Sequence, residues 1–265
     1  MTNPHHLTSA NSHPVVIQAE GLSCGYEGNL VLSDVSFEVK QSEAFFIIGG
    51  SGCGKSTLLR TLVGLNTPRT GSVEILGKPF SKADLPTRRA QLRNIGMLFQ
   101  SSALWSSLTL RQNVSLPLEE HTNLTRKEID EIAMLKLAQL GLKGFENYYP
   151  AEISGGMKKR AGLARALALD PAIVFFDEPW AGLDPITSRK LNYQIKEIQQ
   201  TFGTTLVIVS HELESIFELA NRVIMLDRES KNIIAEGNPK DLLKNTTDSR
   251  VKDFLHRGSL NIHQA

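Results

Sequence analysis

The chain has little cysteine and no long apolar run. Of its 265 residues only Cys24 and Cys53 are cysteines, a usage that fits a reducing compartment and argues against a disulfide framework. No apolar run approaches the ~20 residues that a membrane helix requires. The longest runs, AFFII, AIVFF and TTLVIV, have the length of buried parallel strands. Any membrane role is therefore expected to come through a partner.

An excess of charge of one sign is also missing. Lysine and arginine total 29 against 28 aspartates and glutamates, so the net charge is +1, and the strongly basic face of a nucleic-acid binder is not indicated. The segment Met1 to Pro14 is polar and lacks the basic start and apolar core of a signal peptide. We expect residues 1–14 to form a loose tail, so that its histidines, His5, His6 and His13, lack the fixed geometry of a metal site.

One motif points to a nucleoside triphosphate. Residues 47–57 read IIGGSGCGKST, the pattern G-x-x-x-x-G-K-[ST], directly after an apolar run. Glycines at 49, 50, 52 and 54 are expected to take positive φ angles and to turn successive amides inward around phosphate. Lys55 would bridge the β- and γ-phosphates at the start of a helix, and the Ser56 hydroxyl would take a Mg²⁺ position. This loop alone leaves kinases, GTPases, helicases and transport motors open.

Two further apolar strands end in polar side chains. The segment AIVFFDEP ends in Asp177 and Glu178, and TTLVIVSH ends in His211. Strand tips are where open parallel sheets place ligands, so Asp177 is predicted to hold Mg²⁺ through water and Glu178 to polarise the water that attacks the γ-phosphate. His211 would contact that phosphate or that water. A solvated strand end and an ordinary strand-end histidine are the alternatives, and the upstream phosphate loop favours the catalytic interpretation.

A second anion site is predicted at residues 153–168, ISGGMKKRAGLARALA. Ser154 suits a helix N-cap, and Gly155 and Gly156 leave the first helical amides uncovered. Helix capping explains the serine by itself. A bare helix N-terminus on a different lobe from the phosphate loop, however, is hard for the same nucleotide to reach within one chain. We therefore predict two chains arranged head to tail, with each ATP clamped between one phosphate loop and the SGG segment of the other chain.

Apolar periodicity gives a coarse plan of the domain. Two β-rich segments, 15–18 and 30–39, predict an antiparallel opening sheet. From Ala83 to about Tyr149 the spacing is helical, most clearly in Lys127 to Leu140, which predicts an inserted helical lobe. The expected division is a tail at 1–14, a domain at 15–240 with the helical subdomain at about 83–155, and a C-terminal helix and tail at 241–265. The other expected elements are helices at 56–64, 155–169 and 186–200 and strands at 67–76, 172–176 and 204–209.

As a set, these motifs resemble the ATP-binding cassette (ABC) family from about Val15 to Gly237. IIGGSGCGKST is similar to its Walker A loop, ISGGM to its signature and AIVFFDEP to its Walker B strand, while Gln100 matches the Q-loop and AGLD, ending at Asp184, the D-loop. The resemblance implies an α/β fold with a RecA-like P-loop NTPase core, an antiparallel β subdomain and an inserted α-helical subdomain, dimerising around two Mg-ATP. The sequence departs from the family at Met157, where glutamine is usual, and at Ala181 and Gly182, where serine and alanine are usual.

The resemblance also implies a set of site residues. Tyr26 would stack on adenine and His211 would be the switch histidine. The implied catalytic residues are Glu178, His211, Gln100 and Lys55, and the implied Mg²⁺ positions are Ser56, Gln100 and Asp177. The implied nucleotide contacts are Tyr26, Gly49, Gly50, Ser51, Gly52, Cys53, Gly54, Lys55, Ser56, Thr57, Ser154, Gly155, Gly156 and Asp184.

Several phrases narrow the resemblance to the ATPases of MCE-linked phospholipid transport (Mla) systems. They are SGGM followed by basic residues and LARAL, then LFQSSALWSSLTL, LPLEEHT, GLDPIT and DSRVKDFL. This subfamily implies an ATPase on the cytoplasmic side of the inner membrane that energises phospholipid movement between inner and outer membranes by ATP-driven dimer closure. The implied partners are a second copy of the chain, an MlaE-like permease, an MCE-domain MlaD-like protein and a small STAS-domain MlaB-like protein.

The same resemblance implies a permease-binding groove at Ser101 to Glu120. Its candidate apolar contacts are Leu104, Trp105, Leu108 and Leu110, although a helical-lobe core explains Leu108 and Leu110 equally well. An ABC ATPase for another substrate, such as an amino acid or other small solute, is set aside only by the subfamily resemblance. A cassette protein of DNA repair or translation would need long coiled coils, a second cassette or a basic face, and the sequence indicates none of these.

Overall fold

The computed structural model describes residues 13–26 and 28–262, with the backbone alone for 257–262. The predicted tail lies outside the described residues except for His13 and Pro14. The strands are β1 Val15–Tyr26, β2 Asn29–Lys40, β3 Ala44–Gly49, β4 Thr70–Ile75, β5 Lys78–Pro79, β6 Ile95–Leu98, β7 Ile173–Asp177, β8 Thr205–Val209, β9 Arg222–Leu226 and β10 Ile233–Gly237. The α-helices are α1 Lys55–Leu62, α2 Leu85–Leu92, α3 Leu110–His121, α4 Arg126–Gln139, α5 Gly155–Ala166, α6 Pro185–Phe202, α7 Leu213–Leu219, α8 Pro239–Asn245 and α9 Ser249–Ile262, and a 3₁₀ turn spans Pro150–Glu152.

A six-stranded sheet forms the centre of the molecule, in the order β10-β9-β3-β8-β7-β6. The pairs from β9 to β6 are parallel and only β10 runs antiparallel. Every residue of β3, β7 and β8 is buried, because alternate side chains face two different cores. Phe46 and Phe176 belong to one core and Phe45 and Phe175 to the other. This is why the three apolar runs of the sequence are continuous rather than alternating.

A four-stranded antiparallel sheet, β2-β1-β4-β5, packs over the second of these cores. Its strands β1 and β2 alternate buried and exposed residues, as expected for a sheet with one solvated face. Phe37 of β2 stacks on Phe45 of β3, with ring centroids 5.4 Å apart. The predicted opening sheet is present, and its two strands extend further than expected, to Tyr26 and from Asn29.

Helices α3, α4 and α5 pack together beside the parallel sheet. Helices α3 and α4 each begin with a capping box, at Thr109 and Thr125, which satisfies two orphan amides at each start. Ile129, Ala133 and Leu137 give α4 the buried face that its periodicity predicts. The stretch 83–149 is not helical throughout, however, because β6 lies within it and pairs with β7 in the central sheet.

The C-terminal part of the described chain is more ordered than the predicted short helix and polar tail. Helix α8 is followed by a second helix, α9. Val251 and Leu255, one turn apart on α9, are fully buried in the core that also contains Phe46. Between residues 13 and 262, no helix combines the length and the apolar character that crossing a membrane demands.

Candidate nucleotide-binding and catalytic site

The phosphate loop joins β3 to α1 and is shaped by its glycines. Gly49 has φ 142° and a Cβ there would lie 2.4 Å from the carbonyl oxygen of Leu226. Gly54 caps α1 at φ 103°, a conformation that costs other residues strain. Gly52 also has a positive φ. The expectation for Gly50 is wrong, since its φ is not positive and a Cβ there would meet nothing within 4 Å.

The phosphate loop ends at the N-terminus of α1, where the backbone amides of the first turn have no partner within the helix. Gly54 offers no side-chain cap, so the first helical amides are open to an anion. The Lys55 ammonium donates to the carbonyl oxygens of Gly49 at 2.9 Å and Gly50 at 3.0 Å, which holds its charge over the loop. The side chain of the loop residue Cys53 is buried, and burial raises the pKa of its thiol. Its contact with nucleotide is therefore predicted for its backbone.

Oxygen donors suited to magnesium meet next to the loop. The Ser56 hydroxyl donates to Asp177 Oδ1 at 3.2 Å, and Asp177 is only 6% exposed at the end of β7. Among the described residues, no group of three or more histidine, cysteine, aspartate or glutamate side chains forms a metal site. One hydroxyl and one carboxylate fit Mg²⁺, which usually keeps waters and phosphate oxygens as its other ligands. Gln100 follows β6, and its side chain is exposed.

Glu178 and His211 are in direct contact. Glu178 Oε1 lies 2.9 Å from His211 Nδ1. The Glu178 side chain is 13% exposed and that of His211 66%. Glu178 has a left-handed φ of 47°, unusual for a residue with a long side chain, and its amide donates to the Val209 carbonyl at 2.9 Å. The structure thus brings together two of the predicted catalytic side chains, beside the Ser56 and Asp177 pair.

One residue of this site was not predicted from the sequence. Lys159 of α5 is 5% exposed, and its ammonium donates to the Gln100 carbonyl and, at 3.3 Å, to the Glu178 carbonyl. Burial lowers its pKa, while the charges of Asp177 and Glu178 act in the opposite direction. Helical spacing could have identified Lys159 as a buried residue. It falls on the same face of α5 as the small or apolar Gly162, Leu163 and Ala166, which are also buried.

The SGG segment lies at the start of α5. The Ser154 hydroxyl accepts from the Met157 amide at 3.3 Å, which is the N-cap that the sequence predicts. Ser154 and Gly156 line a cavity of about 510 Å³ with residues of α6, and a Cβ at Gly156 would lie 2.6 Å from Thr187 Cγ2. These contacts involve α5 and α6 and no part of the phosphate loop.

Asp184 and Tyr26 also have contacts of their own. Asp184 caps α6 by accepting from the amides of Ile186 and Thr187, both at 3.0 Å. Hydrogen bonds from Thr187 lower the pKa of Asp184. Tyr26 is half exposed, and a hydrogen bond with Thr57 of α1 lowers the pKa of its hydroxyl. Their predicted contacts with nucleotide stay predictions.

An open apolar cavity of about 520 Å³ lies on the helical side, where Trp105, Leu116 and Phe99 are among its lining residues. Trp105 is 64% exposed. Its loop is fixed by the fully buried Asn113, whose side chain accepts from the Trp105 amide at 2.7 Å and donates to the Trp105 carbonyl at 3.1 Å. Of the other candidate contacts, Leu110 is fully buried and Leu104 packs partly against the core; Leu108 is half-buried.

Comparison with known proteins identifies the family that has this arrangement of motifs. A family model described as ABC transporter matches residues 32–181. The chain belongs to this family. It is 38% identical to the intermembrane phospholipid transport system ATP-binding protein MlaF of Escherichia coli K12 over 228 residues, 85% of this chain and 82% of that protein. It is also 38% identical to the probable ribonucleotide transport ATP-binding protein mkl of Mycobacterium bovis over 253 residues, 96% of this chain and 70% of that protein.

Solved ABC cassettes share the fold. A dimeric structure of the ABC transporter cassette MJ0796 superposes with a TM-score of 0.77 at 30% identity, covering 84% of this chain and 98% of that one. A post-hydrolysis dimer of the same cassette, bound to ADP and Pi, gives a TM-score of 0.76 at 29% identity. The predicted ABC fold is confirmed, as is the activity. This ABC protein is an ATPase that converts ATP and water to ADP and phosphate, coupled to transport.

Proposed function

We propose that two copies of this ABC ATPase enclose two ATP molecules, each held between the phosphate loop of one copy and the SGG segment of the other. The observation that carries the proposal is the separation of two anion-binding helix starts on one chain. Lys55 and the open amides of α1 lie at the strand ends with Asp177, while Ser154 contacts α5 and lies beside α6. A second copy supplies the SGG helix start that each phosphate loop lacks within its own chain. The dimeric structure of the MJ0796 cassette supports the pairing of two copies.

Within each site, the chain's residues divide the work by chemistry. Lys55 moves its ammonium from the loop carbonyls to the β- and γ-phosphates, where a cation offsets the charge of the transferred group. Ser56, Asp177 and Gln100 would hold Mg²⁺, whose positive charge would offset the charge that develops on the phosphate oxygens. Glu178 accepts a proton from the water that attacks the γ-phosphorus as the bond to the β-γ bridging oxygen breaks. His211 orients Glu178 and the attacking water, and Tyr26 stacks on the adenine.

The transported substrate is proposed to be phospholipid, moved between inner and outer membranes. Identity to MlaF proteins supports this, at 38% for E. coli and 34% for Haemophilus influenzae, the latter over 90% of that protein. Closure of the ATP-bound dimer would drive an MlaE-like permease that docks a cytoplasmic helix around Trp105. An MlaD-like MCE protein and an MlaB-like STAS protein complete the assembly, with this ATPase at the cytoplasmic side of the inner membrane.

Crosslinking tests the shared site. A Ser51→Cys, Ser154→Cys double variant, in a Glu178→Gln background, places one exposed thiol on each motif, whereas both native thiols are buried. With Mg-ATP and a short bis-maleimide we expect a crosslinked dimer. The matched controls are each single cysteine variant and the double variant without nucleotide. A crosslink confined to one chain, or a dimer band equal in every control, would contradict the proposal.

A second candidate substrate has its own support. The mycobacterial relatives are named for ribonucleotide transport and match at the same 38% identity over more of this chain, which favours a small polar solute. Purification of the tagged ATPase from its own cells separates the candidates. Co-purification of a permease together with an MCE protein, and ATP-dependent phospholipid transfer by the reconstituted complex, support the lipid proposal. A permease without an MCE protein, and ATP-dependent uptake of a ribonucleotide into proteoliposomes, would support the second candidate.

A further inference from the structure

Lys159 is a charged residue whose side chain is buried away from water. It is 5% exposed, and taking an ammonium out of water is costly unless hydrogen bonds and opposite charges replace the water. Here the ammonium donates to the main-chain carbonyls of Gln100 and Glu178 and lies close enough to the Asp177 and Glu178 carboxylates to interact with both. Its compensation therefore comes from the predicted catalytic site.

The two carbonyls belong to neighbouring parts of the central sheet. Gln100 follows β6 and Glu178 follows β7, and these strands pair up to Leu98 and Phe176. Beyond that last pair the two strands are no longer joined by backbone hydrogen bonds, so the segments that follow them are free to diverge. The Lys159 ammonium bridges these two segments at this point. The bridge fixes the carbonyl of Glu178 while the Val209 carbonyl fixes its amide, and both support a left-handed φ of 47° that local energetics disfavour.

A second cation of α5 holds the same segment. Arg165 donates to the Ala103 carbonyl at 2.6 Å and to the Ser102 carbonyl at 2.8 Å. Ser102 and Ala103 both have positive φ angles, so this segment also depends on contacts from outside it. Helix α5 thus binds the backbone from Gln100 to Ala103 at two points, and the same helix begins at Ser154.

We propose that Lys159 is a positioning residue for ATP hydrolysis, which fixes the main chains of Glu178 and Gln100 relative to each other and to the N-terminus of α5. The inference rests on the proposed roles of Glu178 and Gln100. A displacement of α5, with Ser154 and its glycines, is passed through Lys159 to the carbonyl of Glu178. Closing the dimer on the SGG segment then also sets the position of the glutamate.

Lys159→Met tests this, because methionine keeps most of the side-chain length and removes the donor. We expect turnover at saturating ATP to fall about 10- to 100-fold, the cost of a displaced catalytic group, while the KM for ATP changes less than about threefold. Lys159→Arg keeps a buried cation with donors and is expected to lose less turnover than Lys159→Met. The exposed Lys196→Met on α6 is the matched control for charge removal and is expected to leave turnover unchanged.

Two outcomes overturn the proposal. Turnover of Lys159→Met within about twofold of the parent overturns it, and so does loss of turnover and of ATP binding in parallel with a lowered melting temperature, since this is what general destabilisation produces. If Lys159→Met does not fold, Lys159→Leu, which also removes the donor, gives the same comparison of turnover with KM. Glu178→Gln is assayed alongside. If Glu178→Gln keeps full turnover the proposed function fails, whereas a slow Glu178→Gln with an active Lys159→Met overturns only this inference.

Discussion

His211 Nδ1 lies 2.9 Å from Glu178 Oε1, at the ends of two neighbouring parallel strands. The pairing of Asp177 with Val209 brings the two residues into register, although 33 positions separate them in the chain. This contact restricts the orientation of the Glu178 carboxylate, which is only 13% exposed. In the proposed mechanism, this contact lets the two side chains act on the same water molecule.

Substitution of Glu178 by Gln removes the proposed general base and keeps its shape. We expect turnover to fall by about 10²- to 10⁴-fold, because a positioned base contributes that much, while ATP still binds. Steady-state phosphate release and equilibrium binding of a fluorescent ATP analogue check both halves. Glu197→Gln, an exposed glutamate on α6, is the matched control. A variant that hydrolyses ATP at the parent rate would remove Glu178 from the reaction.

Substitution of His211 by Ala should cost less. We expect a loss of about 10- to 100-fold in turnover, below that of the base itself, because the glutamate remains but loses its orienting contact. A double-mutant cycle with Glu178→Gln provides the decisive comparison. Since both residues act on the same water, the double variant should be no slower than Glu178→Gln alone. Fully multiplicative losses would show that the two side chains act independently.

Substitution of Lys55 by Ala removes the charge that lies over the loop. We expect turnover to fall by about 10²-fold or more, the effect of deleting one donor to a transition state, together with weaker ATP binding. Isothermal titration and phosphate release measure the two effects. Lys196→Ala is expected to change neither. Unaltered binding and turnover for Lys55→Ala would contradict the placement of phosphate in this loop.

Substitution of Trp105 by Ala tests the permease surface. An exposed aromatic over an apolar cavity is a typical interface anchor, so its loss should weaken permease binding by about 2 kcal/mol or more, roughly 30-fold in affinity. Co-purification of the permease and surface plasmon resonance with the detergent-solubilised permease report the change. Phe202→Ala removes an exposed aromatic from the end of α6 and should keep the permease bound. Equal affinities for the two variants would show that Trp105 is not an anchor.

Much of the central fold could be predicted from the sequence. The runs that became β3, β7 and β8 are apolar at every position, and a strand buried on both faces needs such a run. The phosphate loop and the polar strand ends followed from these strands. Strand β6 was missed because Ile95–Leu98 is short and contains Gly96, which carries no local strand signal. Its reason lies far along the chain, since a Cβ at Gly96 would lie 2.3 Å from the carbonyl oxygen of Ala166.

Other features depended on tertiary contacts in the same way. Lys159 lies among good helix formers, and only packing of α5 against the sheet ends makes it part of the site. Gly50 shares a motif with Gly49, yet only Gly49 is pressed against Leu226. The second C-terminal helix could have been predicted, because Val251 and Leu255 in DSRVKDFL have the spacing of one helical turn. The proposed sharing of the site between two chains is not encoded locally and is inferred from the separation of the two anion sites.

A structure of the Glu178→Gln variant with Mg-ATP tests the shared site most directly. We expect a dimer in which each triphosphate contacts Lys55 of one copy and Ser154, with its glycines, of the other. Triphosphates bound at Lys55 with Ser154 distant from all of them, in every copy, would contradict it.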